Sequence, residues 1–338
     1  MHPLVSILIP AFNAQEWLAE TLRSALAQTW PNKEIIVVDD GSTDQTLAVA
    51  RRFVSRGVSV FTQENQGAAA TRNKAFSLSK GDYIQWLDAD DLLAPDKVTR
   101  QMEARNPDPN SRTLLSSEWG YFSYRPAKAR FIPTPLWCDL TPVQWLTRKL
   151  ELNLHMQTAT WLVKRELTVA AGPWNTRLLG DDDGEYFCRV LLASDGVRFV
   201  PGSKVYYRIS GQSRLSYIGR SNKKMDAQFA SMQLTIRYLR SLEESPRVKS
   251  TCVRYLQNWS IHFFPARMDL FNAAQALAAD LGGRLEPPRL SWKYAWIKSL
   301  FGWNAAREAQ LRYNEIKFGL LRSWDKALFR LERAKTSR

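Results

Sequence analysis

Three carboxylates arrive within four positions at Asp88-Ala89-Asp90-Asp91, directly after the apolar stretch Tyr83-Ile84-Gln85-Trp86-Leu87. Carboxylates crowded at the end of a buried segment repel one another and lose hydration unless something positive joins them. A hard divalent cation such as Mn²⁺ or Mg²⁺ is the matching partner, because it takes oxygen ligands and bridges carboxylates to a diphosphate. The pattern therefore reads as a strand that ends in a metal and nucleotide site. The plainer reading is an acidic turn before a helix, since Asp is common in turns. Two further acidic groups lie elsewhere, at Asp39-Asp40-Gly41-Ser42-Thr43-Asp44 and at Asp181-Asp182-Asp183. No G-x-x-x-x-G-K-[ST] loop occurs, so a P-loop does not hold the phosphates.

The elements around these residues decide whether they can meet. Leu4-Val5-Ser6-Ile7-Leu8-Ile9-Pro10 is a short apolar run of the kind found in buried parallel strands. It stops at the loop Pro10-Ala11-Phe12-Asn13, after which Trp17, Leu18, Leu22, Ala25 and Leu26 recur at helical spacing. A second buried strand is expected at Glu34–Val38, a helix at about 46–55 and a third strand at Val58–Thr62. Alternation of strand and helix is the pattern of a doubly wound α/β unit. Such sheets bind ligands at the carboxyl ends of their strands. Pro10–Asn13, Asp39–Asp44 and Asp88–Asp91 would all lie on that edge.

These residues resemble the family 2 glycosyltransferases, whose nucleotide-sugar-binding fold is called GT-A. The segments Val5–Asn13, Gln28–Trp30, Glu34–Asp44, Asn65-Gln66-Gly67-Ala68-Ala69-Ala70-Thr71-Arg72-Asn73 and Asp88–Asp91 are similar to the family's blocks, in its order and at its spacing. The resemblance covers about residues 4 to 100. It implies that Pro10, Ala11 and Asn13 border the nucleotide, and that Asp39 accepts a hydrogen bond from the base. Asp39 also reads as an Asx turn. Arg72 would lie near the base or phosphates, or else be a solvated helix residue. Asp88, with Ala89 beside it, would face the ribose or a metal-bound water. Asp90 would ligate the metal, and Asp91 would be a structural cap.

Inverting sugar transfer needs a base for the acceptor hydroxyl and positive charge for the leaving diphosphate. The metal would supply the charge. Leu179–Val190 is the other dense acidic segment, and Tyr186, Phe187, Val190 and Leu191 suggest an apolar helix face after it. Carboxylates at a helix N-terminus are kept ionised by its dipole and free N–H groups. The segment resembles the family's Glu-Asp motif, in which an Arg follows on the same helix. Placing that Arg at Arg189 puts the base at Asp183, with Asp182 as the other candidate. Asp181 would only cap the helix.

Between the two acidic clusters, prolines mark loops. Ser117, Trp119, Tyr121, Phe122 and Trp137 are aromatic-rich enough to line an acceptor surface, but the core is the commoner place for most of them. Asn153–Trp161 resembles a family strand that leads toward the base, and His155 would be structural or touch the acceptor. Val205–Arg214 resembles the closing strand and loop, where Arg208 or Arg214 would fold over the diphosphate or lie in a solvated basic loop.

The chain has 338 residues, enough for one large domain with an appendage. It has no run of 18 apolar residues and enters a strand almost at once, so neither a spanning helix nor a signal peptide is expected. Three scattered cysteines suit free thiols in a reducing compartment. The formal net charge is +14, and it is uneven. Residues 215–338 hold 22 Lys+Arg against 10 Asp+Glu, a net of +12. The tail reads as helical, with a break near 282–288. Trp292, Trp296, Leu300, Phe301, Trp303, Ile316, Leu320 and Trp324 mix there with Lys and Arg, as an interfacial membrane helix requires. Helices packed on the domain with a solvated basic face are the other reading. Nucleic acid is disfavoured, because no helix-turn-helix, zinc finger or RNP-like motif is present.

The sequence thus leads to an α/β GT-A fold with a helical basic C-terminal extension. Residues 1–105 would form the nucleotide-sugar half, 106–214 the acceptor half and 215–338 the helical region. The expected activity is metal-dependent, inverting hexosyl or hexosaminyl transfer from a UDP-linked sugar to a glycan or lipid-linked glycan. It would take place on the cytoplasmic face of an anionic membrane. A non-catalytic nucleotide-sugar-binding scaffold and a sugar nucleotidyltransferase are the alternatives.

Overall fold

The computed structural model describes residues 2–209 and 221–336. In chain order the first elements are β1 (Val5–Ala11), α1 (Leu18–Leu26), β2 (Lys33–Asp39), α2 (Thr46–Arg51), β3 (Val58–Thr62), α3 (Ala68–Leu78) and β4 (Tyr83–Trp86). Then come β5 (Leu92–Leu93), α4 (Lys97–Glu103), β6 (Thr113–Phe122), β7 (Arg130–Phe131), α5 (Pro142–Glu151), β8 (Val163–Lys164), α6 (Arg165–Ala171), α7 (Asp182–Ala193) and β9 (Gly196–Arg208). Four helices close the chain: α8 (Asn222–Leu242), α9 (Pro246–Phe263), α10 (Met268–Asp280) and α11 (Ala295–Thr336).

Two sheets result, in the orders β3-β2-β1-β4-β8 and β5-β9-β6-β7. In the first, β1 pairs in parallel with both β2 and β4, and β3 extends the parallel set from β2. Strands β1 and β2 are buried along most of their length, because helices cover a parallel sheet. The chain leaves β1 toward β2 on one side and later returns to β4 on the other. That reversal opens a crevice at the carboxyl ends of β1 and β4, where such sheets bind ligands. Register places Ala11 beside Asp39 and Leu8 beside Trp86. The ends of β1, β2 and β4 therefore come out on one edge, as the sequence pattern predicts.

Some expectations are modified. The second helix stops at Arg51 and is followed by a short 3-10 turn at Val54–Arg56, so it is shorter than the 46–55 segment. Asn153–Trp161 is not a strand. It is a loop with a 3-10 turn at Thr158–Thr160, because the Gln157 side chain accepts from Ala159 N (2.5 Å) and the Gln157 carbonyl from Thr160 Oγ1 (2.5 Å). Those bonds close a helical turn and leave nothing for a ladder.

Helices α8, α9 and α10 join the main core through residues such as Phe229, Met232, Ile236, Leu256, Phe263 and Ala274. Helix α11 differs. It is broken at Gly302, whose φ of 81° lies outside the helical region, and most of its apolar side chains are exposed. Among the described residues no helix is long and apolar enough to cross a membrane.

Candidate active site

The loop after β1 and the loop after β2 are tied to each other. Asn13 sits in the left-handed region (φ 47°), and its Oδ1 accepts from Thr43 N at 2.9 Å, while its own N–H donates to Ser42 Oγ at 3.0 Å. Asn tolerates that conformation because its short amide bonds locally. Gly41 (φ 68°) makes the turn possible, since a Cβ there would lie 2.9 Å from Asn65 N. Ala11 is buried and Pro10 half-buried, while Phe12 projects outward. Ala11 O accepts from Asp40 N at 2.8 Å, so the two strand ends are stitched together by backbone.

Asp39 and Asp40 divide their work. Asp40 accepts from Gln63 Nε2 (2.8 Å), Gln66 N (3.0 Å) and Gly67 N (2.8 Å), which fastens β2 to the start of α3. Asp39 Oδ2 accepts from Ser42 N and Thr62 Oγ1, both at 3.3 Å. The first is the expected Asx turn. Asp39 Oδ1 is buried and has no protein partner. An unpaired buried carboxylate oxygen is costly, and a ligand N–H is what would satisfy it.

The acidic loop after β4 is built in layers. Asp91 is fully buried and caps no helix. It accepts from Arg208 N at 2.8 Å and from Gln157 Nε2, so it pins the loop to β9 and to the 157–160 turn. Burial drives its carboxyl well above the ordinary range, and the charges of Asp90 and Asp88 push it further. Ala89 is buried, with its carbonyl held by Thr21 Oγ1 at 2.9 Å. Asp88 and Asp90 keep partial exposure on the crevice side.

Arg208 does not fold over a phosphate, nor is it solvated. It is fully buried, donating to Asp90 O (2.7 Å), Ser123 O (2.9 Å) and Glu20 Oε2 (2.6 Å), with its guanidinium 4.3 Å from the Trp17 and Phe122 ring centroids. All its hydrogen-bonding edges serve the scaffold of the acidic loop. Arg214 lies outside the described residues.

Arg72 is the residue whose place the sequence concealed. It is buried, and it forks between Asp88 Oδ1 (2.8 Å) and Asp182 Oδ2 (2.7 Å). Its plane lies 4.5 Å from the Trp174 ring, which is itself stacked on Tyr186 at 4.0 Å. Burial disfavours its charge, but Asp88 and Asp182 outweigh that and keep it firmly protonated. It is not a solvated helix residue. It is the link between the β4 loop and α7.

Asp181 to Asp183 part company. Asp181 takes the position before α7 in a left-handed conformation (φ 53°) but makes no side-chain cap. Its carboxylate accepts from Ser231 Oγ at 2.6 Å and Gln228 Nε2 at 3.2 Å, both on α8. Asp182 turns inward to Arg72, and burial raises its carboxyl to about 6 despite that partner. The helix N-terminus was expected to keep this carboxylate readily ionised, and for Asp182 burial is the stronger effect. Asp183 turns the other way. It is half-buried, accepts from Thr158 Oγ1 at 3.2 Å and Gly184 N at 2.9 Å, and lines a small cavity of about 20 Å³ with Lys149, Met156 and Trp161. Arg189 supports the helix from within, pairing with both oxygens of Glu185 at 2.8 Å.

An aromatic cluster flanks the crevice. Trp119 is the buried centre, edge-on to Tyr121 (4.6 Å), His155 (5.3 Å) and Tyr207 (6.0 Å). Trp119 and Phe122 are core, whereas Tyr121 and His155 reach the surface. Among the described residues no group of three His, Cys, Asp or Glu side chains is arranged to hold a metal by itself. The carboxylate oxygens of Asp88 and Asp90, both partly exposed beside the buried Asp91, fit a hard cation that takes the rest of its ligands from a diphosphate.

Known proteins with a similar chain or fold can now be set beside this geometry. Residues 6–134 match the model described as Glycosyl transferase family 2. The UDP-Glc:alpha-D-GlcNAc-diphosphoundecaprenol beta-1,3-glucosyltransferase WfaP of Escherichia coli is 37% identical over 122 residues, which is 36% of this chain and 45% of that one. This chain spans less than half the length of the curated relatives it matches. Staphylococcus aureus TarS 1–349 superposes with a TM-score of 0.63 at 16% identity, over 82% of this chain and 80% of that one. The same TarS fragment was also solved with UDP-GlcNAc. Mannosyltransferase PcManGT from Pyrobaculum calidifontis, in complex with GDP-Man and Mn²⁺, gives a TM-score of 0.52 at 18% identity, over 96% of this chain and 88% of that one. The sheets and flanking helices are those of the GT-A fold. Residues 6–134 thus form a domain of the glycosyl transferase family 2 type.

Proposed function

We propose that this protein is an inverting glycosyltransferase that takes a UDP-linked hexose or hexosamine and delivers it to a glycan or lipid-linked glycan at an anionic membrane surface. One observation carries the reading: Arg72 joins the donor-side carboxylate Asp88 to the helix start that presents Asp183. A nucleotide-binding edge and a candidate base are thereby held on one rigid frame. The vacant Asp39 Oδ1 supports a base with an N–H donor, as uracil has. The printed names of WfaP and the TarS complex, with UDP-Glc and UDP-GlcNAc, support the same nucleotide.

In this mechanism Pro10, Ala11 and Asn13 border the nucleotide and Asp39 accepts from its base. Asp90 would hold Mn²⁺ or Mg²⁺, with Asp88 facing the ribose or a metal-bound water, and the cation would offset the negative charge of the leaving diphosphate. Asp183 takes the proton from the acceptor hydroxyl. The acceptor oxygen forms a bond to the anomeric carbon while the bond from that carbon to the diphosphate breaks. Thr158 and the Gly184 N–H fix the Asp183 carboxylate during that transfer. Asp182, tied to Arg72, orients the helix start rather than moving a proton.

Thermal shift with UDP, GDP, dTDP and CMP, each with and without Mn²⁺, tests the donor side. A ligand that binds only the folded state raises the melting temperature. Stabilisation by UDP that needs Mn²⁺ and is lost in Asp90→Ala is expected. Asp183→Asn should lower turnover by about 10²- to 10⁴-fold with UDP affinity unchanged. Turnover that survives Asp183→Asn would remove Asp183 from this role, and production of pyrophosphate from UTP and a sugar phosphate would favour a nucleotidyltransferase instead.

A further inference from the structure

Helix α11 has two faces, and this chain covers only one. Arg322, Asp325, Lys326 and Phe329 recur at the spacing of one helix face. That face lies on the segment after β6. Asp325 Oδ2 accepts from Tyr124 N at 2.9 Å, and Oδ1 accepts from Arg125 Nε at 2.7 Å. The Arg322 and Lys326 cations lie 5.7 and 5.3 Å from the Tyr124 ring centroid, and Phe329 lies 6.1 Å from it. Lys326 also approaches Glu16 at 3.7 Å, and Tyr124 packs on Trp17 at 5.3 Å. Glu16 and Trp17 follow Pro10–Asn13 in the loop that leads into α1. The covered face therefore sits on the rim of the nucleotide edge.

The other face is apolar. Tyr313, Ile316, Leu320, Trp324 and Leu331 form one stripe, centred roughly 170° around the helix from Arg322. Each is more than half exposed, from 56% at Tyr313 to 69% at Trp324. Trp292, Trp296 and Leu300, before the break at Gly302, are exposed as well. Proteins that stay free in water rarely carry so long an apolar surface. The occupant can be argued from charge. Helix α11 holds nine Lys or Arg against four Asp or Glu. A second copy of the same cationic helix would be repelled, whereas anionic headgroups would be attracted. Trp beside Lys and Arg along an apolar stripe matches the boundary between headgroups and acyl chains, where the basic stems reach up to phosphates.

We propose that α11 lies flat between the catalytic domain and an anionic bilayer, with the stripe at Tyr313, Ile316, Leu320, Trp324 and Leu331 in the lipid. The Asp325–Arg125 pair and Tyr124 hold the nucleotide-site rim on the other side. The inference rests on the membrane attachment proposed above and names the surface that performs it. It also fixes the orientation, because the rim and the lipid share one helix.

The test is co-flotation of the full chain with vesicles of phosphatidylglycerol and phosphatidylcholine, or of phosphatidylcholine alone. Wild type should float with the phosphatidylglycerol vesicles, and Leu320→Glu with Trp324→Glu should weaken that binding by about tenfold or more. The same double variant should keep the wild-type thermal shift with UDP and Mn²⁺, which shows that it folds. Undiminished flotation of the double variant would overturn the stripe while leaving attachment intact. Failure of wild type to float would overturn both, with the nucleotide reading still judged by its own thermal shift. A dimer without vesicles that the double variant dissolves would make a second copy the occupant and overturn the proposal.

Discussion

Arg72 and Asp182 are 110 positions apart in the chain and meet at 2.7 Å in the interior, with the other arm of the same guanidinium on Asp88. Fixed fork geometry lets one Arg serve two carboxylates from different elements, which a Lys cannot do equally well. The relationship makes the distance between the acidic loop of β4 and the start of α7 a property of a single side chain.

Removing that side chain should therefore damage both stability and activity. Arg72→Met leaves Asp182 buried, and Asp88 half-buried, without their shared partner, and breaking a buried pair typically costs about 3–5 kcal/mol. Urea denaturation should show that loss, and Arg72→Lys should recover only part of it.

Asp182 should leave a mark on pH dependence. Its carboxyl is raised from the ordinary 3.8 to about 6, chiefly by burial. Between those values the folded protein keeps a proton that the unfolded chain has released. Stability from this group is therefore fully present below the lower value and falls as pH rises through the window, by at most about 1.4 kcal/mol per unit. Denaturation of wild type and Asp182→Asn across that range should show a steeper fall in wild type.

Lys97 carries the opposite sign. It is fully buried, its Nζ donates to Gln85 Oε1, and burial drives its pKa well below the ordinary 10.5. Below 10.5 the unfolded chain binds a proton that the folded one lacks, so this group makes the protein more stable as pH rises toward that value. Lys97→Met should flatten the rise as pH approaches 10.5, as read from denaturation midpoints.

Asp39 should report on the base. Its Oδ1 is buried without a partner, and a hydrogen bond to a charged acceptor is worth about 1.5–3 kcal/mol. Asp39→Asn should weaken UDP binding roughly 10- to 100-fold by calorimetry, and CMP should lose much less. Equal loss for both nucleotides would point to collapse of the Ser42 turn instead.

The carboxyl edge of the first sheet was legible in the residues because each part of it is local. The apolar run of β1, the Asx turn at Asp39 and the Asp-rich end of β4 each follow from short-range periodicity and turn chemistry, and parallel order then aligns their ends. The helix after Gly180 was legible for the same reason. Long-range pairing was not. No spacing shows that Arg72 would meet Asp182, that Arg208 would vanish beneath the acidic loop, or that Asp181 would bond to α8 instead of capping its own helix. Such contacts depend on which elements pack together, and burial then overrides local preference, as it does for the charge of Asp182.

The basic tail divides along the same line. Its helices and its charge excess were set by composition and 3.6-residue periodicity. Tertiary structure decided that α8 to α10 are buried against the core and that one face of α11 is left uncovered by the chain. An amphipathic stripe states that a partner exists, but only packing shows which stripe the chain has already covered with its own residues.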